Sequence, residues 1–364
     1  MKSKKYLVLL ALIIGSCYQI AAQKTFEQMQ KIEKSYLVNK NALIQINNKY
    51  GNVHISTWDK DSVKFDINFI VRANKQDRLS KLLSVISFDF NNSPSFVIGQ
   101  TMINKNSILT DVASMANAVF GSGTNIIINY NVSIPENSNI KIENKFGDIF
   151  LTDINGNADI SLSNGDLKTG NINGELKLKH SFGNATLKNF QNGRITLSFS
   201  EFEMNKTKEL YIESSSSRIQ IGDVETLDYN LRNDKLYLSN VETLKGKSNF
   251  SKINIKKINQ QAIITSSFGS FNLDEISTSI KLINITSSYT SYTLFAPRDC
   301  SFNIDVNYRK TDINLPASVQ NYKKELLDAK TTQTKISGIY GNSLNPSSRI
   351  NINSTSGNIY LYEK

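Results

Sequence analysis

Apolar and polar residues alternate along most of this chain, and the alternation returns at a fixed interval. In the template Phe146-Gly147-Asp148-Ile149-Phe150-Leu151, the residues Ile149 and Leu151 form the apolar half of the alternation. The Gly147-equivalent positions recur every 17 or 18 residues as far as Gly269, and then after 21 and 19 residues. They are Gly147, Gly165, Gly183, Ser200, Ser217, Asp234, Ser251, Gly269, Thr290 and Arg309. A period of two residues is typical of a β-strand with one buried face.

A second alternating segment follows half a repeat later, as at Ala158, Ile160 and Leu162. A unit of 17 or 18 residues is too short for a strand–helix–strand crossover. It suits one coil of a parallel β-solenoid, in which each strand pairs with its equivalent about 4.8 Å away. The absence of proline between Pro135 and Pro297 agrees with strands paired on both sides. We therefore predict an all-β, single-chain parallel β-solenoid with coils of about 17–18 residues.

The residue before each Gly147-equivalent position is aromatic in most repeats. These corner residues are Phe146, Asn164, Phe182, Phe199, Ser216, Asn233, Phe250, Phe268, Tyr289 and Tyr308. In register, the rings would stack in a column along the solenoid. Two interpretations remain open: a corner stack that seals the core, and a row of rings that stacks against carbohydrate.

The repeat pattern divides the chain into four predicted parts. Residues 1–22 form a signal peptide, 23–135 a β-rich N-terminal cap, 136–315 the solenoid repeats, and 316–364 an irregular segment with a closing coil. The closing coil is inferred from a further copy of the template at 356–361. Apolar residues at helical spacing predict one or two short helices in the cap. Those residues are Leu79, Leu82, Leu83 and Ile86 for the first helix, and Ile108, Val112, Met115, Ala116 and Val119 for the second.

The first residues predict export. Three lysines precede an apolar run over 6–14, and small residues lead to a cleavage position after Ala22. The run is too short to cross a bilayer, and no later segment is long enough. An alternative is a lipid anchor at Cys17, because Ile14-Gly15-Ser16-Cys17 resembles a loose lipobox. We expect the protein in the periplasm, at the outer membrane or outside the cell.

Composition and charge exclude several kinds of partner and binding site. The formal net charge is +10, but the lysines are scattered along the strands and no nucleic-acid motif is present, so we expect no nucleic-acid partner. Two Cys and two His exclude a disulfide framework and the usual zinc ligand sets. Once the signal is removed, Cys300 is the only thiol, and we interpret it as a small buried residue.

The acidic residues offer the strongest test for catalysis, because enzymes on β-solenoids use acids on adjacent coils. Asp148 and Asp166 should stack one coil apart, with Asp234 near the same corner, but the charge in this column reverses at Arg218. We interpret the column as a solvated turn face, His54 as outward-facing and His180 as a surface residue or a satisfied corner residue. The sequence thus predicts no catalytic, cofactor-binding or metal-binding residue, no cofactor and no enzyme activity, and it assigns no binding surface.

Together, Asn48-Lys49-Tyr50-Gly51-Asn52-Val53-His54-Ile55, Thr57-Trp58-Asp59-Lys60-Asp61, the Phe-Gly-Asp-Ile repeats and the terminal Ser-Gly-Asn-Ile-Tyr-Leu resemble the bacterial putative-adhesin family of the Gram-negative cell envelope. The resemblance spans nearly all of the mature chain. It implies a β-solenoid similar to autotransporter-adhesin heads, and it supplies no catalytic residues.

Three functions remain open. The first is a non-catalytic secreted or envelope protein, adhesin-like or a scaffold, whose partner is an unknown envelope protein or glycan. The second is a carbohydrate-binding or carbohydrate-cleaving β-helix protein. The third, implied only by the resemblance, is a periplasmic component of envelope-stress signalling.

Overall fold

A computed structural model describes residues 25–103 and 125–364 of the chain. The predicted signal peptide, Cys17 and the second predicted helix lie outside these residues. The described part is all-β apart from one helix, as the alternation predicts. Its elements are β1 Phe26–Leu37, β2 Leu43–Lys49, β3 Val53–Trp58, β4 Ser62–Ala73, α1 Gln76–Val85, β5 Ile86–Ser93, β6 Phe96–Ile103, β7 Asn125–Pro135, β8 Asn139–Lys145, β9 Ile149–Leu151, β10 Ala158–Ser163, β11 Leu167–Thr169, β12 Ile172–Ser215, β13 Arg218–Arg232, β14 Lys235–Asn249, β15 Lys252–Leu273, β16 Leu282–Ala296, β17 Phe302–Asn314, β18 Val319–Asp328, β19 Gln333–Tyr340 and β20 Arg349–Glu363.

The described residues fall into two compact units. The smaller contains 25–30, 69–87, 103 and 125–127, and it includes helix α1. Leu79, Leu82 and Val85 are the buried residues of α1, so the predicted first helix is confirmed, but Ile86 begins strand β5 instead of belonging to the helix. The larger unit contains 31–68, 88–102 and 128–364, and it holds the repeats.

The strands of the larger unit pair mostly in parallel, each with its equivalent one repeat away. Glu201 pairs with Arg218, Arg218 with Lys235, and Lys235 with Lys252, so the pairing advances by one repeat each time. In the earlier repeats the step is longer by one residue, as between Leu167 and Ala185. The repeat seen in the sequence is therefore the register of one long parallel sheet.

The order of strands follows the chain only in the middle of the sheet. Near its start, β2 lies between β6 and β8, and β3 lies between β7 and β9. Near its end, β20 pairs in parallel with both β16 and β17. Two antiparallel pairs, β17 with β19 and β18 with β19, follow. The final template copy is thus placed inside the sheet instead of at its end.

The pairing of β20 shows that the last Gly147-equivalent position, Arg309, was assigned wrongly from the sequence. Gly357 of β20 pairs with Thr311, so Thr311 occupies the position that the sequence pattern assigned to Arg309. The corner residue of that repeat is Lys310, with φ of 49°, instead of Tyr308. Gly269 and Thr290 pair directly, so the 21-residue interval between them lies within the regular order of strands, and only the step after Thr290 crosses the inserted β20.

The core consists of columns of apolar side chains that run across the repeats. The first-strand positions predicted to face inward are buried from Ile149 to Leu294. Burying such an aliphatic side chain contributes about 1.5–3 kcal/mol. A further inward column, which the sequence pattern did not reveal, lies seven residues after each Gly147-equivalent position. Its members are Ile154, Ile172, Phe190, Thr207, Val224, Val241, Ile258 and Ile276.

Every repeat turns at its corner through one residue in the left-handed region of backbone space. The φ angles range from 49° at Lys310 to 66° at Tyr50. A residue with a Cβ in this region loses roughly 1–2 kcal/mol. The predicted corner positions from Phe146 to Tyr289 all adopt this conformation, which confirms the phase of the repeat.

Candidate functional site

One outward-facing column of side chains crosses the first strands of the larger unit. Because side chains alternate across a strand, the residue between two buried ones faces outward. Register places these residues side by side, with Thr186 and Glu203 sharing one cavity. This outward column contains Asn131, His54, Phe150, Lys168, Thr186, Glu203, Gln220, Tyr237, Asn254, Asn272, Thr293 and Tyr360.

Three shallow cavities lie along the outward column. The one around His54 and Phe150 has a volume of about 640 Å³, and their ring centroids are 4.4 Å apart. The next, around Lys168 and Glu203, has about 430 Å³, and the third, around Tyr237, has about 370 Å³. Volumes of this size are typical of small-ligand sites. Their position on one face indicates a surface suited to an extended ligand.

A charged column runs beside the outward column, two residues after each corner. Its first members are acidic and its later members are basic. In order they are Asp148, Asp166, Asn184, Glu201, Arg218, Lys235 and Lys252. The reversal at Arg218 agrees with the sequence reading.

The acidic end of this column stabilises the turns. Oδ1 of Asp148 accepts the backbone N–H of Asp166 at 2.9 Å, and Oδ1 of Asp166 accepts that of Asn184 at 2.8 Å. Asp148 and Asp166 are therefore adjacent, as predicted. Each carboxylate satisfies a backbone donor in the next repeat, which is a structural role.

The corner rings form an aromatic column on the same side of the repeats. Phe182 and Phe199 stack with centroids 5.2 Å apart and planes 5° apart. Phe250, Phe268 and Tyr289 continue at centroid spacings of 4.9 Å and angles of 12° and 2°. Each pair contributes about 0.5–1.5 kcal/mol beyond the area it buries. This gain offsets part of the left-handed strain at these residues.

The rings do not seal the core. Their exposed fractions are 54% for Phe182, 58% for Phe199, 58% for Phe250, 44% for Phe268 and 59% for Tyr289. The corner backbone directs each ring outward, so the interpretation as a stack that closes the core is wrong. The column instead presents aromatic edges to solvent, and an open ring face wherever it stops.

The predicted acidic residue Asp234 lies apart from the charged column. It is buried, its Oδ1 accepts from Ser214 Oγ at 3.0 Å and Ser217 N at 2.6 Å, and its Oδ2 accepts from Arg232 N at 2.7 Å. Burial raises the pKa of its carboxyl, although the backbone donors act in the opposite direction. Asp234 holds the corner backbone from inside.

His180 is buried at another corner, so of its two expected roles the satisfied corner residue is the one observed. Its Nε2 lies 3.0 Å from the carbonyl of Gly165 and its Nδ1 lies 3.0 Å from Ser200 Oγ. Because a carbonyl only accepts, Nε2 carries the proton. Desolvation lowers the pKa of His180. His54, in contrast, is exposed on the outward column, also as expected.

Cys300 is the only described thiol, and it is buried against the carbonyl of Ile276 with an Sγ–O distance of 3.4 Å. Burial raises the pKa of Cys300 to about 11. A thiol in this state is a weak nucleophile, which agrees with the packing role expected for it.

Within residues 25–103 and 125–364, no three His, Cys, Asp or Glu side chains come together as a metal site. The same residues contain no helix that is both long and apolar enough to span a membrane. Two features were not predicted from the sequence: the exposure of the corner rings, and the uninterrupted run of the cations Arg218, Lys235 and Lys252. The positions of these residues in the repeat are visible in the sequence, but the direction of the side chains depends on the backbone conformation at the corner.

No protein-family model matches this chain, and a search of curated proteins finds no match. Solved structures similar to it include a "putative cell adhesion protein" from Clostridium sporogenes, at 10% identity over 93% of this chain and 100% of that one, with a TM-score of 0.19. A "putative adhesin" from Bacteroides fragilis is 9% identical over 91% and 97% of the two chains, with a TM-score of 0.24.

A third similar structure is a "putative lipid binding protein" from Parabacteroides distasonis. It is 10% identical over 92% of this chain and 96% of that one, with a TM-score of 0.29. Adhesin names agree with the resemblance noted from the sequence. All three TM-scores are below 0.3.

Proposed function

We propose that this chain is a non-catalytic, adhesin-like protein of the cell envelope. In this proposal its larger unit is a parallel β-solenoid with one repeat per coil, and it binds an extended partner along the outward column. The observation that carries the proposal is the in-register outward column, with three cavities on one face.

The solenoid part of the proposal is supported by the register and by the core. Parallel pairing at the nearly constant interval of the repeat places equivalent side chains directly above one another. Each repeat buries side chains on its first strand, on its second strand and between them, as at Ile219, Leu227 and Val224, which agrees with a coil that closes around one core.

The exposed aromatic column favours the carbohydrate-binding alternative over carbohydrate cleavage. Stacked rings offer flat apolar surfaces to sugars, whereas cleavage needs unlike catalytic groups that converge on one bond. The carboxylates of Asp148 and Asp166 accept backbone hydrogen bonds instead. The proposal therefore includes both a glycan partner and the absence of enzymatic cleavage of that glycan.

The test compares two faces of the same repeats. One variant replaces Glu203, Gln220, Tyr237 and Asn254 of the outward column with Ala. The matched control makes the same change at outward positions of the second strands in these repeats, namely Glu213, Asn230, Lys247 and Thr265. All eight positions face away from the core, so both variants should fold.

Binding to a panel of immobilised acidic and neutral polysaccharides is measured together with the release of reducing ends. We expect the native chain to bind without releasing reducing ends, the outward-column variant to lose binding, and the control to retain it. Equal loss in both variants would contradict the assignment of the face. New reducing ends would favour the enzyme alternative.

A further inference from the structure

The aromatic column is interrupted at two consecutive repeats. The corner residues there are Ser216 and Asn233, and Asn233 Nδ2 donates to Ser216 Oγ at 3.3 Å. We call this interruption the notch. It opens into a cavity of about 610 Å³ that Phe199, Arg218 and Lys235 also line.

Two aromatic rings border the notch. Phe199 ends one stack and Phe250 begins the next, three repeat steps away. Repeats about 4.8 Å apart place these rings about 14 Å from each other, which leaves room for two flat rings at the spacing of the column. Among the five rings from Phe182 to Tyr289, Phe268, which is stacked on both faces, is the least exposed, whereas Phe199 and Phe250 are more exposed. Their additional exposure is consistent with one open face each.

The two repeats without a ring carry cations instead. Arg218 and Lys235 follow the notch residues by two positions, and Lys252 follows in register. None of the three forms an ion pair within residues 25–103 and 125–364. Like charges on adjacent strands are unfavourable, so this run of cations is a surface that an anion would stabilise.

Other charges around the notch have mixed signs. Arg232 is exposed immediately before Asn233, and Glu201 lies beside Phe199. The Arg218 guanidinium lies 4.8 Å from the centroid of the Tyr237 ring, which orients it on the outward face. The Asp234 carboxylate is buried below and already accepts three hydrogen bonds. Cations thus predominate at the surface of the notch.

We propose that the notch binds two consecutive uronate rings of an acidic polysaccharide. The two linked sugars lie end to end along the column, with an apolar C–H patch of one against Phe199 and of the other against Phe250, and their carboxylates bind Arg218 and Lys235. Charge-assisted hydrogen bonds to a carboxylate are among the stronger polar contacts. This inference rests on the proposed function and names the ligand class for it.

The first test fills the notch. Ser216→Phe with Asn233→Phe places rings where the column lacks them, at corners that already accept Phe in other repeats. The matched control is Asn164→Phe, at a ringless corner between Phe146 and Phe182, where the charged column is acidic. Circular dichroism and thermal unfolding check that each variant folds.

Binding of oligogalacturonate is measured by calorimetry on the full chain, with a neutral cello-oligosaccharide of equal length as the second probe. We expect the native chain to prefer oligogalacturonate, with affinity that weakens as salt increases. The filled variant should lose about tenfold or more in affinity, and Asn164→Phe should change it by less than about twofold. Arg218→Gln with Lys235→Gln should remove the preference for the charged probe.

Three results would overturn the inference. They are no binding of oligogalacturonate to the native chain, unchanged binding to the filled variant, and equal affinity for the neutral probe. The proposed function is tested separately. If the native chain binds another polysaccharide and the outward-column variant does not, the proposed function stands while the notch assignment fails.

Discussion

Tyr229 and Gly246 form a large and small pair in one inward column, and the pair permits a sharp test of the register. They pair directly across adjacent repeats, and the next residues in the column are Ile212 and Ile264. A Cβ added to Gly246 would overlap Cζ and both Cε atoms of the Tyr229 ring. Carbon atoms normally approach to about 3.5–4.0 Å, so a fully buried ring would have to move.

Gly246→Ala is therefore expected to destabilise the protein by about 2–3 kcal/mol, the upper part of the range for overpacked cores. Tyr229→Ile copies the neighbours in the column and makes room for the new methyl group. It also removes a buried hydroxyl that has no hydrogen-bond partner among the described residues, which offsets part of the lost packing. In the Tyr229→Ile background, Gly246→Ala should cost under about 1 kcal/mol, a coupling energy of about 2 kcal/mol.

Urea unfolding of the four proteins in this double-mutant cycle measures the coupling, provided that the slope of the transition stays the same. Lys247→Ala, one residue along on the outward side, is the control and should shift the midpoint little. The register would be refuted if Gly246→Ala were tolerated, or if its cost were the same with and without the Tyr229 ring.

Three further predictions concern single positions. Leu238→Asp places a carboxylate in the core and should leave the protein insoluble or unfolded, while the outward Gln220→Asp should cost under about 0.5 kcal/mol; equal soluble yields would contradict the assigned faces. The folded pKa of His180 lies below its unfolded value of about 6.5, so stability should be lost as pH falls through about 6.5. His180→Leu should weaken this dependence in thermal unfolding, and an unchanged pH slope would argue against it. Phe268→Asn loses two stacking contacts and Phe199→Asn only one, so urea midpoints should show the former to be less stable by about 0.5–1.5 kcal/mol; the reverse order would exclude stacking as the source of stability.

The local parts of the fold could be predicted from sequence because their signals are local. Alternation around Ile149 and Leu151 gives the buried face, and the phase of the repeat gives the left-handed corners. The inward column of Val224 and Val241 was missed because it contributes one apolar residue per repeat without an alternating neighbour. Its constant distance from the Gly147-equivalent position was the available signal.

The order of the strands and the direction of the rings could not be predicted in the same way. A template match such as that at Gly357 identifies a repeat, but pairing partners depend on which edges the rest of the chain leaves open. Likewise, the position of Phe199 in the repeat is visible in the sequence. Its exposure follows from the left-handed backbone, which turns the ring away from the core.

The insertion of β20 between β16 and β17 has a consequence for the order in which the chain folds. Repeats in the middle of the sheet can add one after another as the chain emerges, but β17 cannot simply continue from β16. Until residues 349–363 arrive, the edges of β16 and β17 that β20 will pair remain open, and open strand edges pair readily with other chains. A chain truncated before Arg349 would therefore lack an internal strand of the sheet, and we expect it to self-associate through the open edges of β16 and β17.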